Sequence, residues 1–203
     1  MVRRYGKPDL TCPSHPNAGR ADRLRRDTAA SHGRLDRRIM AAEPFRDRAH
    51  FVGFLSAQQI FLHHVENLYH DPVLADWLPQ LSGSSRLRAV NADAADLGAP
   101  PLRAVPRLQA TSAEGLGWLY VAEGSRLGGA VLASSADRLG LNSAFGARHL
   151  APPPEGLGAF WRSFRSGLDA APVPAEEEDA VLAGALAAFD FVSDAMAESL
   201  TPA

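Results

Sequence analysis

Apolar residues recur at spacings of three and four along nearly the whole chain, without convincing strand alternation, so the pattern predicts an all-α fold. Leu24, Thr28, His32, Leu35 and Ile39 share one stripe of a helix expected from about Arg20 to Met40, with arginines over its remaining surface. From Pro44 to His70 the sequence is apolar around much of a helical circumference, as a central helix should be. Asp71 and Pro72 have the form of a cap and first turn for a short helix through Leu81, and Ser84 or Ser85 can cap another running to Gly98. Three prolines between Gly98 and Pro106 make a loop. After a turn-rich connection from Asn142 to Gly156, Leu157, Phe160, Trp161, Phe164 and Leu168 form the stripe of a further helix. A last helix begins at Glu176 to Glu178, where acids complement the helix dipole, and turns Leu182, Leu186, Phe189, Val192 and Met196 inward.

The stretch Thr111 to Leu141 organises the rest. It predicts one long helix: Thr111 and Glu114 have the spacing of a capping box, Leu116, Leu119, Tyr120, Leu127, Val131 and Leu132 recur at helical spacing, and Gly140 can end the run. Its interior nevertheless holds Gly115, Gly117, Gly124, Gly128 and Gly129. Each forgoes about 0.8–1 kcal/mol relative to alanine, roughly 4–5 kcal/mol together, a sizeable part of a domain's stability. Missing side chains allow close approach to the backbone, and Gly124 and Gly128, four apart, lie on one face. Two readings are open: a tight crossing of two helices, or a wide, flat ligand lying against this one.

With 203 residues and 46% apolar content, the chain suits one domain burying roughly 70% of its unfolded surface. Residues 1–19, rich in Pro, Gly, Ser, Asn and charge, read as a flexible leader, and residues 20–203 as the domain. A net charge of −2 supplies no overall reason to bind nucleic acid or an anionic membrane. No uninterrupted apolar run approaches membrane-spanning length, and the N-terminus lacks the apolar core of a signal peptide, so a soluble cytoplasmic protein is expected. Cys12 is alone, which rules out an intrachain disulfide or a thiolate cluster.

Among residues that carry chemistry, His32 stands out because its imidazole shares the apolar stripe of a helix, either bonded quietly in the core or ligating a metal. One axial imidazole is all a heme needs from a protein whose remaining pocket is apolar wall. Two helices with a flat macrocycle between them, one supplying His32 and the other a glycine-thinned backbone, would explain both oddities. His63 and His64 are adjacent, so they point about 100° apart and cannot converge on one ion. Asp47 with His50 is a weak pairing, and Glu66 with His70 reads as a solvated pair. Seven arginines between Arg20 and Arg38, interleaved with Asp22, Asp27 and Asp36, read as a solvated face.

Four motifs, in order and at matching spacing, then coincide: His32 within HGRLD, the segment EPFRDRAHFVGFLSAQQIFLHHVENLYHDP, the run LGWLYVAEGSRLGGAVL, and FGARHLAPP. Together they resemble the bacterial heme oxygenases over about Arg20 to Leu200. The resemblance implies a single-domain helical bundle with heme, both cofactor and substrate, between a proximal helix and a kinked distal helix. It implies opening of the ring by O2 and electrons to give biliverdin, carbon monoxide and ferrous iron. By position, His32 becomes the axial ligand, and Gly124 and Gly128 the distal glycines beside the heme face. Phe189 becomes a pocket wall, and Arg25 and Tyr120 the contacts to the propionates. Ser125 stands where animal relatives carry a distal aspartate, so ordered water would rest on hydroxyls and backbone carbonyls. Members that open the ring at the δ or β carbon carry lysines at the positions of Met40 and Ser135, so the resemblance points here to biliverdin IXα. An external electron donor of the ferredoxin or ferredoxin–NADP reductase type is implied, and a bilin photoreceptor is one outlet for the product. A carrier of heme or biliverdin with the same fold is the competing expectation. Arg148 and His149 match the FGARHL turn without an assigned role.

Overall fold

The structure is a computed structural model and describes residues 19–200; the expected leader, apart from Gly19, lies outside the described residues. Helices α1 (Arg20–Asp27), α2 (Ala29–Ala41), α3 (Arg48–Val65), α4 (Pro72–Trp77), α5 (Leu87–Asp96), α6 (Ser112–Gly124), α7 (Gly129–Asp137), α8 (Leu157–Ala170) and α9 (Glu178–Ser199) follow one another, joined by loops and short 3-10 turns. Helix α3 starts at Arg48, later than the expected Pro44, because Asp47, read only as a weak partner of His50, accepts the His50 N–H as its cap. At the start of α4 the expected cap forms, Asp71 accepting the Leu74 N–H. Thr111 and Glu114 make a complete capping box, each side chain accepting the other's backbone N–H. For α5 neither offered serine is the cap: Arg86 holds that position without a side-chain cap bond, and Ser85, one residue earlier, accepts the Leu87 N–H at 3.3 Å.

Helix α9 is the hub of the bundle, packing against α6, α3 and α2. Its crossing with α6 is made by glycine on both sides. A Cβ on Gly117 would stand 2.0 Å from the Val181 carbonyl oxygen, and one on Gly184 would stand 2.2 Å from that of Glu114. Backbone therefore meets backbone, and the face of α9 that buries most completely consists of Val181, Gly184, Ala185, Ala188, Val192 and Met196. Leu182 and Leu186, expected to face fully inward, are half-buried at the flanks because the close crossing leaves room in its centre for small side chains alone. Around this crossing, α3 buries Phe51, Phe54, Leu55 and Leu62, while α8 buries Phe160, Phe164 and Leu168.

Two expected helices are each divided. The first breaks at Thr28, whose hydroxyl donates to the Leu24 carbonyl at 2.7 Å; such back-bonding from a β-branched residue bends a helix without ending its course. The second is the long Thr111–Leu141 run, which tightens into a 3-10 turn over Ser125–Gly128 between α6 and α7. The cause is local. In a continuous α-helix the Ala122 carbonyl would receive the Arg126 N–H; here it accepts the Ser125 hydroxyl at 2.7 Å and the Arg86 guanidinium at 2.7 Å.

The segment Ala175–Ser199 is long and apolar enough to cross a membrane by length and composition, but Asp190 and Asp194 interrupt it and it is the central packing helix of this bundle.

The glycines of the Thr111–Leu141 run thus divide by what surrounds them. Gly115 faces Leu68 and Leu74, Gly117 meets α9, and a Cβ on Gly128 would find no atom within 4 Å. In urea titrations Gly117→Ala should lose about 2 kcal/mol or more through overpacking, whereas Gly128→Ala, which gains helix propensity in open space, should stay within about 1 kcal/mol of the parent.

Candidate active site

The imidazole of His32 stands on α2 with its side chain 63% exposed, and its Nδ1 lies 2.9 Å from a carboxylate oxygen of Asp36, one turn further along. A carboxylate accepts, so Nδ1 carries the proton and Nε2 presents a lone pair to the surroundings. This is the tautomer a metal-ligating imidazole needs, with its ring orientation set by a second residue. Phe189, buried on α9, holds the ring edge-on at 5.8 Å between centroids.

Helix α6 approaches the α1–α2 pair at Tyr120. Tyr120 lies against the Thr28 hydroxyl, with Arg25, Arg165 and Asp22 near its phenol; burial raises the phenol's pKa, and the threonine and the two arginines partly offset this. This contact joins the two helices at one point. His32 is one turn beyond Thr28 on its helix, and Gly124 is one turn beyond Tyr120 on the other. Past Gly124 the backbone is bare on this face: a Cβ there would make one ordinary contact, with Trp161 at 3.7 Å, and one on Gly128 would make none. Leu127 and Val131 on this segment, and Met40 on α2, are the exposed large apolar residues of the two elements, at 45%, 71% and 70% exposure. Such groups gain by burial against an apolar plate. A free imidazole nitrogen, an aromatic edge, bare backbone and exposed aliphatic side chains fit a flat, apolar, metal-bearing ring with acidic substituents, for which Arg25 and Arg165 supply cations at the Tyr120 end.

Beneath the 3-10 turn lies a buried charge network that sequence reading missed. Glu123, fully buried, accepts from the Tyr69 hydroxyl and from the Arg126 guanidinium. Arg126 also donates to the Ser84 carbonyl and lies over the Phe160 ring at 5.1 Å. Arg86, equally enclosed, donates from Nη2 to the Ala122 carbonyl and, at 2.8 Å, to the Ser125 hydroxyl oxygen. The tyrosine's pKa is pushed well above its ordinary value by burial and by the adjacent carboxylate. Ser125 is consequently committed. Its single proton goes to Ala122 and one lone pair receives Arg86, leaving an acceptor site toward the exposed side.

A family model described as heme oxygenase matches residues 19–198 of this chain. The chain belongs to the heme oxygenase family. It is 41% identical over 178 residues to heme oxygenase PigA of Pseudomonas aeruginosa, covering 86% of this chain and 90% of that one. It is 34% identical over 153 residues to a heme oxygenase of Xanthomonas campestris pv. campestris, covering 72% and 91%. The solved NO- and CO-bound heme oxygenase of Neisseria meningitidis superposes with a TM-score of 0.85 at 37% identity, covering 91% of this chain and 94% of that one. As a heme oxygenase, the protein is a heme-degrading oxidoreductase, and the all-helical architecture expected from periodicity is that of the family.

The network under the turn should behave as a unit. Removing one partner leaves buried charge uncompensated, so Glu123→Gln should cost about 3–5 kcal/mol in denaturant unfolding. Adding Arg126→Met to it should recover part of that loss, giving a double-mutant coupling well above 1 kcal/mol.

Proposed function

We propose that heme lies between α2 and the Gly124–Gly128 face, held through its iron by His32 Nε2 and along its flank by Phe189. When bound, heme supplies both the iron that takes O2 and the ring that is oxidised, ending as biliverdin, carbon monoxide and ferrous iron. The observation that carries the reading is the Asp36 contact: it holds the proton on Nδ1 and so leaves Nε2 bare on the stripe that leads to the Tyr120 contact. Asp36 thus sets tautomer and ring direction, while Phe189 restricts the imidazole's swing. Gly124 and Gly128 keep side-chain bulk away from the distal side, leaving space for a diatomic gas. Ser125 offers its remaining lone pair to water on that side, so the distal water network rests on a hydroxyl fixed by Arg86 instead of on a carboxylate. Electrons come from an external donor of the ferredoxin or ferredoxin–NADP reductase type, and a cytoplasmic site of action agrees with that supply. The products serve either iron acquisition or chromophore supply to a bilin photoreceptor.

Purified protein mixed with hemin should give a six-coordinate ferric spectrum, and His32→Ala should lose the normal axial ligation; an unchanged spectrum in the variant removes the assignment. A second reading, a heme or biliverdin carrier that performs no turnover, is favoured by one observation, the hydroxyl of Ser125 at the acid's place. Ferredoxin, its reductase and NADPH under air separate the two: loss of the Soret band with bilin formation supports the enzyme, and a persistent band supports the carrier.

Regiochemistry follows from what holds the propionates. Arg25 and Tyr120, with Arg165 beside them, form a cationic and phenolic cluster at one end of the divide. Met40 offers no charge. Ser135 offers none itself, although the Arg138 guanidinium reaches its hydroxyl at a long 3.4 Å. Chromatography of the product should show mainly the IXα isomer. A dominant δ or β peak would overturn this assignment of the propionate contacts.

A further inference from the structure

Where the FGARHL turn packs on α5, His149 of the turn and Asp93 of the helix form the most enclosed titratable pair among the described residues. His149 and Asp93 have fully buried side chains. The Asp93 carboxylate accepts four hydrogen bonds: from the His149 and Arg148 backbone N–H groups at 2.9 Å each, from His149 Nδ1 at 2.8 Å, and from Arg148 Nη1 at 3.0 Å. An ionised carboxylate can only accept, so His149 carries its proton on Nδ1, and Nε2 is a bare acceptor. That nitrogen is buried and has no partner within the protein.

A complementary orphan stands at the start of the helix that packs on this turn. Arg86 Nε is a permanent donor, also buried and also without a partner, while its Nη2 donates to Ala122 and Ser125. The arginine is close enough to His149 for its charge to help keep the imidazole neutral, after burial, which is the larger cause. A buried donor or a buried acceptor without any partner is destabilising, because it has given up its hydrogen bond to solvent. An enclosed water commonly satisfies such groups and makes two to four hydrogen bonds.

We propose that an internal water accepts from Arg86 Nε–H and donates to His149 Nε2, so that the Asp93–His149 pair acts as a positioning device for Arg86. The chain of contacts runs Asp93, His149, water, Arg86, and then the Ala122 carbonyl and Ser125 hydroxyl at the helix break. His149 is a positioning residue, not a catalytic one. Its link to turnover rests on the proposed heme-degrading role of that break, whereas its link to Arg86 is independent of any ligand.

The test uses the full-length chain without hemin first. Nitrogen-15 NMR should show His149 as the neutral Nδ1–H tautomer with a hydrogen-bonded Nε2, and Arg86 Nε–H as a slowly exchanging proton with cross-relaxation to a long-lived water. An Nε2–H tautomer, or an Arg86 Nε–H exchanging at the solvent-exposed rate, overturns the proposal without any variant. His149→Phe should speed Arg86 Nε–H exchange about tenfold or more, and His149→Gln, which keeps an acceptor near the place of Nε2, should restore protection. Arg86→Lys, read at His149 in the same spectra, should remove the Nε2 hydrogen-bond signature. With hemin added, the acid–alkaline spectral transition should move in His149→Phe and return toward the parent in His149→Gln. If the ligand-free signatures hold but this transition does not move, the water link stands and its coupling to the heme site fails.

Discussion

The Ala122 carbonyl accepts from a hydroxyl one turn ahead and from a guanidinium reaching across from the start of α5. A carbonyl has two lone pairs, so both places are taken and the regular helical ladder gives way there. Without that break the glycine-bearing run would continue as a straight rod, and the backbone after Gly124 would hold a different angle to α2. The guanidinium is kept from water by the bundle, and it is tolerable there because Glu123 lies near enough to favour its charge. A bent helix, its exposed glycines and the buried ion network beneath are therefore one construction.

Much of the fold was legible because it rests on periodicity and on local caps. Asp71 and Thr111 sit in short sequence contexts whose chemistry decides the local structure, and each caps its helix, whereas α3 starts past the expected Pro44, where Asp47 is the cap. The two divided helices show where that reasoning stops. At Thr28 the spacing of apolar residues carries straight through, and the bend comes from a side-chain hydroxyl competing with the ladder. At Ser125–Gly128 the decisive partner, Arg86, is about forty residues away in sequence, beyond any local window. The glycine pattern was ambiguous for a physical reason: the same absence of a side chain serves a helix crossing at Gly117 and open space at Gly128.

The proposed site has a partial signature in the sequence. His32 draws notice as an imidazole on an apolar stripe beside a glycine-bearing helix, and the structure adds its 63% exposure and the Asp36 contact that sets its tautomer. Asp36 reads as one charge among many on a solvated face, and it is indeed exposed, so composition carries no sign of its partner. Glu123 and Arg126 were overlooked within the recognised run itself. Two opposite charges three apart, in a stretch otherwise made of glycine and apolar residues, were the available signal; a solvated pair would more often stand among other polar residues. Arg86 offered a fainter one, a cation at the N-terminal end of a helix, where the dipole disfavours it unless something else holds it.

Under the proposed function, a hydroxyl at Ser125 in place of a distal carboxylate would change how protons are handled. A carboxylate can take up and release a proton, whereas this hydroxyl has already given its single proton to Ala122 and receives another from Arg86. Toward the open side it can only accept. Water bound there must therefore donate one hydrogen to Ser125, which fixes that water's orientation and leaves its other hydrogen to point away from the protein wall. Under the proposed function, the hydroxyl would act as an orienting acceptor, and protons for ring opening would have to pass along water without residing on residue 125. Directional control would then come from Arg86, whose charge is permanent, so the orientation would persist across any pH at which the bundle itself stays folded.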